Sequence, residues 1–556
     1  MCLQQKNIWE RIIHFRKKYN TLKLQLLTID IKSDTLTNNK IRCKKQNKGV
    51  TMVSKINCAT ITGIDVVPVI VETDICNGLP SFDMVGLLSY DIKEARERVK
   101  TAIKNSGFII PPRRITINFS PGNIRKTGTY FDMAIAVSIL KALDIVDVDM
   151  EDKMFVGELS LNGEVVSVNG ILPIVLHALE NGIKQCFIPE ENIGECQLIE
   201  GIDVIGVKNL NELVVFLSNE GYIEKSLPTI IKGNEEKSTG NDFCHIKGQV
   251  QAKKGAEIAA AGMHNILLVG PPGTGKTAIA RALPSILPDM SWKEKIEISK
   301  IQSVAGTLNG NLVTNRPFRN PHHTSTVVAF TGGGMNPKPG ELTLANGGVL
   351  YMDEFPEFSR NVMEALRQPL EDRNVVISRS GGNYKFPADF ILMASMNPCR
   401  CGYYPDRNRC DCTERDVRKY LEKVSGPILD RIDVCVHMNP VPFFELKKEK
   451  KEETSEAIKK RVNRAVEIQR ERYKKEKFDY NGQLYGEKVK EYCHLNKKER
   501  ELIEEVYEKM QLSVRAYEKI LKVARTISDL KEKKEISTLE IAEAVSFRFS
   551  NNMGVR

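Results

Sequence analysis

The chain has 556 residues, of which 41% are hydrophobic and 27% charged, and its formal net charge is +10. This length and composition predict about three to four folded domains. No apolar run approaches the roughly 20 residues that span a bilayer, and the N-terminus lacks the apolar core of a signal peptide. We therefore expect a cytoplasmic protein without a membrane partner, whose 13 cysteines are reduced.

The positive charge is concentrated at the N-terminus. Residues 1–51 hold 12 Lys and Arg against 3 Asp and Glu, so they carry +9 of the net charge. The remaining chain is nearly neutral, and its overall charge gives no support for nucleic-acid binding. We interpret residues 1–51 as a disordered basic extension, with a nucleic-acid-binding arm as the alternative.

Residues 52–220 alternate between strand and helix patterns, which predicts an α/β domain. The expected strands lie at 64–72, 115–119, 154–159 and 185–189, and the expected helices at 89–106, 131–143 and 172–181. The next residues, 221–241, are polar and contain a proline, which predicts a linker.

A phosphate-binding motif follows the linker. It fits GxxxxGK[ST] at every fixed position and reads Gly270-Pro271-Pro272-Gly273-Thr274-Gly275-Lys276-Thr277. A buried strand is expected before it and a helix after it, which is the context the motif needs. Backbone N–H groups of the glycines surround phosphate oxygens, Lys276 reaches the β- and γ-phosphates, and Thr277 holds Mg²⁺. The motif therefore predicts ATP and Mg²⁺ as cofactors; a glycine-rich turn before an ordinary helix is the alternative.

Two later apolar strands end in polar residues. The strand at 349–352 is followed by Asp353, expected to bind Mg²⁺, and Glu354, expected to act as general base on water. The strand at 390–396 is followed by Asn397, which could orient water near the γ-phosphate. The alternatives are a buried strand with acidic residues at its exposed end, and an asparagine that caps a turn.

Two insertions interrupt this region. The first contains the pair His322-His323, for which a loop-capping role is favoured over a metal site. The second, residues 375–386, predicts a β-hairpin with glycines near its turn. Near the hairpin tip, Arg379, Tyr384 and Lys385 could contact DNA, although a solvated hairpin explains them equally well.

A cysteine cluster follows in the spacing CxC-x8-CxC, formed by Cys399, Cys401, Cys410 and Cys412. Four thiolates so close in sequence could hold tetrahedral Zn²⁺, although CxxC pairs are the better-attested spacing. Reduced thiols on a loop are the alternative. Beyond the cluster, charged helical patterns at 445–477, 497–510, 515–530 and 538–549 predict a small helical lid.

Several of these segments resemble the YifB/ComM family, which belongs to the AAA+ clade of magnesium-chelatase subunits and MCM helicases. The resemblance covers the region from Asp242 to the C-terminus and four N-terminal motifs: Val85-Gly86-Leu87, Glu94-Ala95-Arg96-Glu97-Arg98-Val99, Arg125-Lys126-Thr127-Gly128-Thr129-Tyr130-Phe131-Asp132 and Asn162-Gly163-Glu164-Val165. It implies a Lon-protease-like domain at 52–220, an AAA+ parallel sheet with insert hairpins at 242–444 and a helical lid at 445–556. The Ser–Lys pair of Lon would fall at Tyr130 and Pro173, so protease chemistry is not expected.

The resemblance also implies functional residues and partners. Arg431 would be an arginine finger supplied by a neighbouring subunit, and Arg515 would sense nucleotide from the lid, with Arg525 as its rival. Surface ion pairs are the alternative for these arginines. The implied protein is a hexameric ATPase that drives branch migration of DNA during transformation, with recombination proteins as partners. A magnesium-chelatase-type ATPase subunit and a protein-remodelling ATPase are the alternatives.

Overall fold

The N-terminal half is built on a seven-stranded mixed sheet. The computed structural model describes residues 53–218, 241–379, 382–447 and 452–548, so the predictions for 1–51 and for nearly all of the linker lie outside the described residues. The spatial order is β3-β4-β2-β1-β5-β8-β9, and β2 runs antiparallel to both of its neighbours. The strands of this half are β1 (Ser54–Thr62), β2 (Asp65–Cys76), β3 (Ser81–Val85), β4 (Arg114–Ser120), β5 (Lys153–Phe155), β6 (Glu158–Leu159), β7 (Val165–Val166), β8 (Gln185–Pro189) and β9 (Asp203–Val207).

Helices cover this sheet and agree with the predicted α/β pattern. They are α1 (Tyr90–Asn105), α2 (Asp132–Ala142), α3 (Ile171–Glu180), α4 (Ile193–Cys196) and α5 (Leu210–Leu217). Helix α2 is buried over most of its length and packs against β1 and β2. The single strand predicted at 154–159 is wrong, because the chain divides into β5 and β6. Gly157 lies between them and exchanges its backbone hydrogen bonds with Tyr130 and Met133, next to the start of α2.

The second sheet has five strands, all parallel, in the order β11-β14-β17-β10-β18. Every residue of β10, β14 and β17 is buried, as expected for parallel strands covered on both faces. Two antiparallel pairs, β12–β13 and β15–β16, lie in the insertions. The strands are β10 (Ile266–Val269), β11 (Phe318–Arg319), β12 (Gly332–Gly333), β13 (Lys338–Pro339), β14 (Val349–Met352), β15 (Asn374–Arg379), β16 (Gly382–Pro387), β17 (Ile391–Met396) and β18 (Val434–His437).

Helices surround the parallel sheet and continue to the end of the described chain. Those before residue 448 are α6 (Val250–Gly262), α7 (Lys276–Ala282), α8 (Trp292–Ala305), α9 (Val327–Thr331), α10 (Glu341–Leu344), α11 (Arg360–Ala365), α12 (Arg367–Asp372), α13 (Glu414–Leu421), α14 (Gly426–Leu429) and α15 (Phe443–Lys447). Short 3-10 helices span Glu190–Asn192, Phe243–His245, Leu283–Ile286, Phe355–Glu357 and Asn481–Gln483. The hairpin predicted at 375–386 is confirmed, since β15 and β16 pair with Ile377 opposite Tyr384.

The C-terminal helices share a core with the parallel sheet. They are α16 (Ser455–Arg472), α17 (Glu487–Tyr492), α18 (Lys497–Met510), α19 (Val514–Leu530) and α20 (Thr538–Ser546). Helices α16 and α19 pack on each other and on α6, and their apolar side chains join those of β10 and β18 in one buried cluster. None of the helices in the described ranges is long and apolar enough to cross a membrane.

The N-terminal sheet domain contacts the part of the chain built on the parallel sheet directly. Helix α3 packs on α8, and the N–H of Gly170 donates to the carbonyl oxygen of Ser303 at 2.9 Å. The hydroxyl of Ser303 bonds Glu195 at 2.5 Å. A Cβ built on Gly194 would lie 1.8 Å from the carbonyl oxygen of Gly310, so the two backbones are in close contact. Glycine at 194 is therefore required by packing rather than by its backbone angles.

Candidate active site

The phosphate-binding motif forms the connection between β10 and α7, as the sequence predicted. Gly273 and Gly275 have φ of 76° and 92°, a region that favours glycine, so their identity is set by the shape of the loop. The ammonium of Lys276 donates to the carbonyl oxygens of Gly270 at 2.7 Å and Pro271 at 2.9 Å. Burial lowers the pKa of Lys276, and the nearby carboxylate of Asp353 opposes this shift. The lysine thus lies within the loop that would surround the phosphates.

Oxygen atoms suited to Mg²⁺ meet beside this loop. The hydroxyl of Thr277 lies 3.4 Å from Asp353 Oδ2, and the other oxygen of Asp353 accepts a hydrogen bond from the Ser395 hydroxyl. Tyr351 donates to Ser395 at 3.2 Å, and burial raises the pKa of this tyrosine to about 12, so its phenol stays protonated. Carboxylate and hydroxyl oxygens are the ligands Mg²⁺ prefers, usually completed by water and phosphate oxygens.

Glu354 follows Asp353 and has a left-handed backbone conformation. Its φ is 51°, a left-handed conformation that costs a non-glycine residue about 1–2 kcal/mol. Its side chain is 64% exposed, and Oε2 lies 3.8 Å from Nδ1 of His323. His323 comes just after β11, the strand that neighbours β14, whereas His322 bonds Thr324 at 2.9 Å within its own loop. The expected loop-capping role therefore fits His322, while His323 faces the carboxylate of Glu354, which the sequence predicts as general base.

Asn397 lies between the two halves of the site. It follows β17, which pairs with β10 on one side and β14 on the other. Its side-chain oxygen accepts a hydrogen bond from the Lys276 ammonium at 3.1 Å. Because the carboxyl ends of parallel strands lie at one sheet edge, Lys276, Asp353 and Asn397 are brought together there.

Arg431 and Arg515 lie elsewhere, and they lie together. Arg431 Nη2 is 2.5 Å from Oε1 of Glu371, and Arg515 Nη2 is 3.4 Å from the same oxygen. The carbonyl oxygen of Arg431 accepts a hydrogen bond from Asn265, which precedes β10. The phosphate loop begins at the other end of that strand. Both arginines therefore lie at the amino end of β10, opposite the end that carries the phosphate loop of the same chain.

Arg525, the alternative to Arg515, is buried and makes contacts within its own part of the fold. Arg525 is 4% exposed, forms an ion pair with Asp529 at 3.0 Å and donates to the carbonyl oxygens of Lys533 and Lys534. Its donors are occupied by the end of its own helix and the following turn. Arg515, at the exposed start of α19, is the better candidate of the two for contact with nucleotide.

A buried charge cluster supports the edge that carries the arginines. Asp433 accepts from the backbone N–H of Asn265 at 3.1 Å and pairs with Lys519 at 3.2 Å and His264 at 3.5 Å. Burial acts to raise the pKa of Asp433, but the positive charges of Lys519 and Lys522 outweigh it and hold this pKa well below its usual range. The carboxylate is therefore ionised at neutral pH and ties α19 to the start of β10.

The four cysteines of the CxC-x8-CxC segment converge. Their sulfur atoms all lie within 4.8 Å of one another, on the loop that follows Asn397. The sequence left open whether these residues meet, and the structure brings all four together. In the part of the chain that the structure describes, this is the one group of three or more potential metal ligands that meets this distance.

Two of the three hairpin residues considered for DNA contact, Arg379 and Tyr384, lie beside the N-terminal domain. Arg379 and Lys385 are exposed, whereas Tyr384 is half-buried, and its ring lies 3.4 Å from a Cβ built on Gly63 of the N-terminal domain. Arg379 lines a cavity of about 780 Å³ between the two halves, together with Arg125 and Lys338. The structure thus gathers positive charge from both halves at one cavity, while Tyr384 is already packed.

Sequence reasoning missed three residues of this region. Ser395 is a polar residue inside a fully buried strand, and that pattern was a signal that could have identified it. His323 was considered only as a loop residue, because its proximity to Glu354 depends on the pairing of β11 with β14. Glu371 lies in an ordinary charged stretch, and nothing in the sequence pairs it with Arg431 or Arg515.

Family comparisons cover nearly the whole described chain. Residues 242–446 match the magnesium chelatase subunit ChlI family, residues 71–192 match a second family described as subunit ChlI of Mg-chelatase, and residues 452–548 match the ChlI C-terminal family. The first match contains the phosphate loop, Glu354, Asn397, the cysteines and Arg431.

Individual relatives extend over the same length. The chain is 39% identical to the competence protein ComM of Haemophilus influenzae over 493 residues, covering 87% of this chain and 95% of that protein. It is 37% identical to the uncharacterized protein YifB of Escherichia coli over 502 residues, covering 89% of this chain and 97% of that protein. A weaker similarity, 26% over 250 residues, links 44% of this chain to 26% of the DNA replication licensing factor mcm-6 of Caenorhabditis briggsae.

Proposed function

Because the chain belongs to the YifB/ComM family of magnesium-chelatase-like proteins, as its motifs predicted, we propose that it is an Mg²⁺-dependent AAA+ ATP hydrolase whose reaction centre is shared between neighbouring copies in a ring. One copy supplies the phosphate loop, Asp353, Glu354 and Asn397. The adjacent copy supplies Arg431 and Arg515.

The observation that carries this proposal is the separation of the two sets of residues along β10. Arg431 is bonded through its carbonyl to Asn265 at the start of the strand, and Gly270 follows its end. At about 3.3 Å per residue, Asn265 and Gly270 are about 16 Å apart. An arginine side chain is shorter than this distance, so Arg431 reaches a γ-phosphate only if the phosphate belongs to another copy. Arg515 contacts Glu371, the same carboxylate as Arg431, so we place it at the same interface.

The chemistry follows from where charge develops. Thr277 and Asp353 would hold Mg²⁺, which would supply positive charge to neutralise the phosphates of ATP. Glu354 accepts the proton of the attacking water, and its exposed carboxylate has free access to such a water. Asn397 orients the lysine ammonium through its 3.1 Å hydrogen bond. The guanidinium of Arg431 stabilises the negative charge of the transition state.

A glutamine variant tests the role of Glu354. Glu354→Gln keeps the size of the side chain but cannot accept the proton, so we expect turnover to fall by about 10²–10⁴-fold while ATP still binds. Binding is measured with a fluorescent ATP analogue, and turnover by phosphate release. Glu357→Gln is the matched control, because this nearby exposed glutamate pairs with Lys423. Normal turnover in Glu354→Gln would contradict the assignment.

The proposed substrate of the motor is branched DNA, and the proposed process is branch migration during recombination, in the cytoplasm, with recombination proteins as partners. The printed name of the ComM relative refers to competence, and that of the more distant relative to DNA replication. The cavity lined by Arg125, Lys338 and Arg379 supplies positive charge where a phosphate backbone could bind. Its position beside the insertions links DNA binding to the strands that end in the active site.

The N-terminal half has a different proposed role. We assign residues 52–220 to a Lon-protease-like domain without protease chemistry, 242–444 to the AAA+ core and 445–556 to the helical lid. Burial raises the pKa of Tyr130 to about 12, so its phenol is protonated at neutral pH, and Pro173 is buried in α3 and offers no base. The domain would then position partners or DNA against the ATPase.

ATPase measurements with defined DNAs decide between this function and its alternatives. We expect forked or single-stranded DNA to stimulate turnover, and negative-stain images with ATP and branched DNA to show hexameric rings. The family descriptions favour a chelatase-type subunit as the second candidate. Turnover indifferent to every DNA tested would remove the DNA motor and leave a chelatase-type or protein-remodelling ATPase.

Individual phosphate contacts are tested by salt dependence. Lys338→Ala and Arg379→Ala should each weaken DNA binding and reduce the slope of log affinity against log salt by about 1. Lys474→Ala is the control, because Lys474 is an exposed lysine on the C-terminal side with a weak partner in Glu471. Unchanged slopes in both cavity variants would place the DNA elsewhere.

A further inference from the structure

The sulfur atoms of the cysteine cluster are arranged as the corners of a single-ion site. Cys399 Sγ lies 3.3 Å from Cys401 Sγ and 3.7 Å from Cys410 Sγ, and Cys401 lies 3.4 Å from Cys410. Four sulfurs bonded to one Zn²⁺ at about 2.3 Å are about 3.8 Å apart, close to these values. A disulfide needs about 2 Å, and all four thiols are free. We propose that Cys399, Cys401, Cys410 and Cys412 bind one structural Zn²⁺ that braces the phosphate loop.

The identity of the ion follows from the ligand set. Thiolates are soft ligands that select Zn²⁺ over the Mg²⁺ used at the phosphate site. Four protein ligands leave no open coordination position, so the ion has a structural role and no catalytic one. In an iron–sulfur cluster the cysteines bind different iron atoms, so their sulfur atoms lie farther apart than the ligands of a single ion.

The loop that carries the cysteines has little apolar packing of its own. Between β17 and α13 the chain forms only turns, and the small apolar cluster around Cys399 and Cys410 adds Tyr404 and Val417 as its other buried members. The backbone N–H of Tyr404 donates to Cys399 Sγ at 3.4 Å, a contact that orients a ligating sulfur. A segment with so little apolar burial gains its fixed shape from metal binding.

This loop touches the phosphate loop directly. Gly402 closes a turn by donating to the carbonyl oxygen of Cys399 at 3.0 Å, and its φ is 91°. A Cβ built there would lie 2.7 Å from Pro272 Cδ and 3.7 Å from Asn397 Cγ. The turn from Cys399 to Gly402, which contains the first two cysteines, therefore contacts the phosphate loop and Asn397, the asparagine that accepts from Lys276. Metal binding at the cysteines would fix both, and this consequence rests on the proposed ATPase function.

The metal site is tested first by composition, which does not depend on any activity. The full-length protein, purified without chelator and under reducing conditions, should contain one zinc per chain when its metal content is measured by inductively coupled plasma mass spectrometry. Cys401→Ser and Cys412→Ser should each lose it, whereas Cys76→Ser, a partly buried cysteine of the N-terminal sheet, should keep it. Co²⁺ added after zinc removal should give the visible bands of tetrahedral thiolate coordination. Protein without stoichiometric metal, iron in place of zinc, or zinc retained by both cluster variants would overturn the site.

The bracing role is tested on the same variants. We expect Cys401→Ser and Cys412→Ser to lower kcat/KM for ATP by about 10–100-fold, since a displacement near 1 Å in an active site has effects of that size. The far-UV circular dichroism spectrum of each full-length variant should match that of the wild type, which separates a local effect from misfolding. If both variants lack zinc and turn over ATP as the wild type does, the bracing role is wrong and the metal site stands. If the zinc-loaded wild type has no ATPase activity, the proposed function fails and the metal site again stands.

Discussion

Removing the guanidinium of Arg431 tests the shared reaction centre most directly. The carbonyl of this arginine is bonded to Asn265, and a rise of about 3.3 Å per residue along β10 separates Asn265 from Gly270 by about 16 Å, more than the length of an arginine side chain. Arg431→Ala should therefore leave ATP binding nearly intact and lower turnover by about 10³-fold or more, as for arginines supplied in trans. That loss corresponds to about 4 kcal/mol of transition-state stabilisation.

Mixing two inactive variants distinguishes action in trans from action in cis. Glu354→Gln keeps an intact Arg431, and Arg431→Ala keeps an intact Glu354, so a complete centre forms where one faces the other. For random mixing at equal amounts, about one quarter of the head-to-tail interfaces are complete, and about one quarter of wild-type turnover should return. Phosphate release from each variant alone and from the mixture gives the answer.

Two controls accompany the mixture. Arg464→Ala removes an exposed arginine that pairs with Glu532, and its turnover should equal that of the wild type. Arg431→Lys keeps the charge but loses the planar fork, so it should recover little. Mixtures that stay inactive although mixed rings are seen by crosslinking, or an Arg431→Ala variant with normal turnover, would refute the shared centre.

Three further predictions concern packing and charge. Asn397→Ala should lower kcat by about 10²-fold with a smaller effect on ATP affinity, because Lys276 loses a partner that fixes it for the transition state; single-turnover kinetics separate the two. Gly194→Ala should destabilise the chain by about 1–3 kcal/mol in urea unfolding, because its Cβ would lie 1.8 Å from a backbone oxygen, whereas Gly122→Ala, with open space around it, should not. Burial raises the pKa of Asp132 from 3.8 to about 6, so the folded state binds this proton more tightly than the unfolded state. This group should therefore add about 1 kcal/mol of stability as pH falls from 7 to 5. Over that pH range the free energy of unfolding of the wild type should rise by this amount relative to that of Asp132→Asn; an equal pH dependence in the two proteins would contradict the prediction.

Local sequence patterns predicted the parts of the site that lie on one short segment. The phosphate loop needs glycines at positions of positive φ and a lysine at the start of the following helix, and these requirements are met within eight consecutive residues. Asp353 and Asn397 could be placed because each follows a buried strand, and parallel strands end at a common edge. Helix α2 was predictable for the same kind of reason, since its apolar run has no polar face.

Contacts between distant segments could not be predicted in the same way. The proximity of His323 to Glu354 depends on which strands pair, and the division of β5 from β6 depends on hydrogen bonds from Gly157 to the start of a helix. The sequence also left Tyr384 as a candidate for base stacking, whereas the structure half-buries it beside Gly63 of the N-terminal domain. Each of these outcomes reflects free energy gained between elements far apart in the chain.

The sequence by itself predicted the nucleotide site, because an octet of residues and two strand ends carry their own backbone and charge requirements. Only the tertiary structure decided that Arg431 and Arg515 share Glu371 at the far end of the sheet, and that four cysteine sulfurs meet beside the phosphate loop. The physical reason is that a motif of consecutive residues fixes its own geometry, whereas the distance between two side chains on separate elements is set by how the sheet orders its strands and how the helices pack on it.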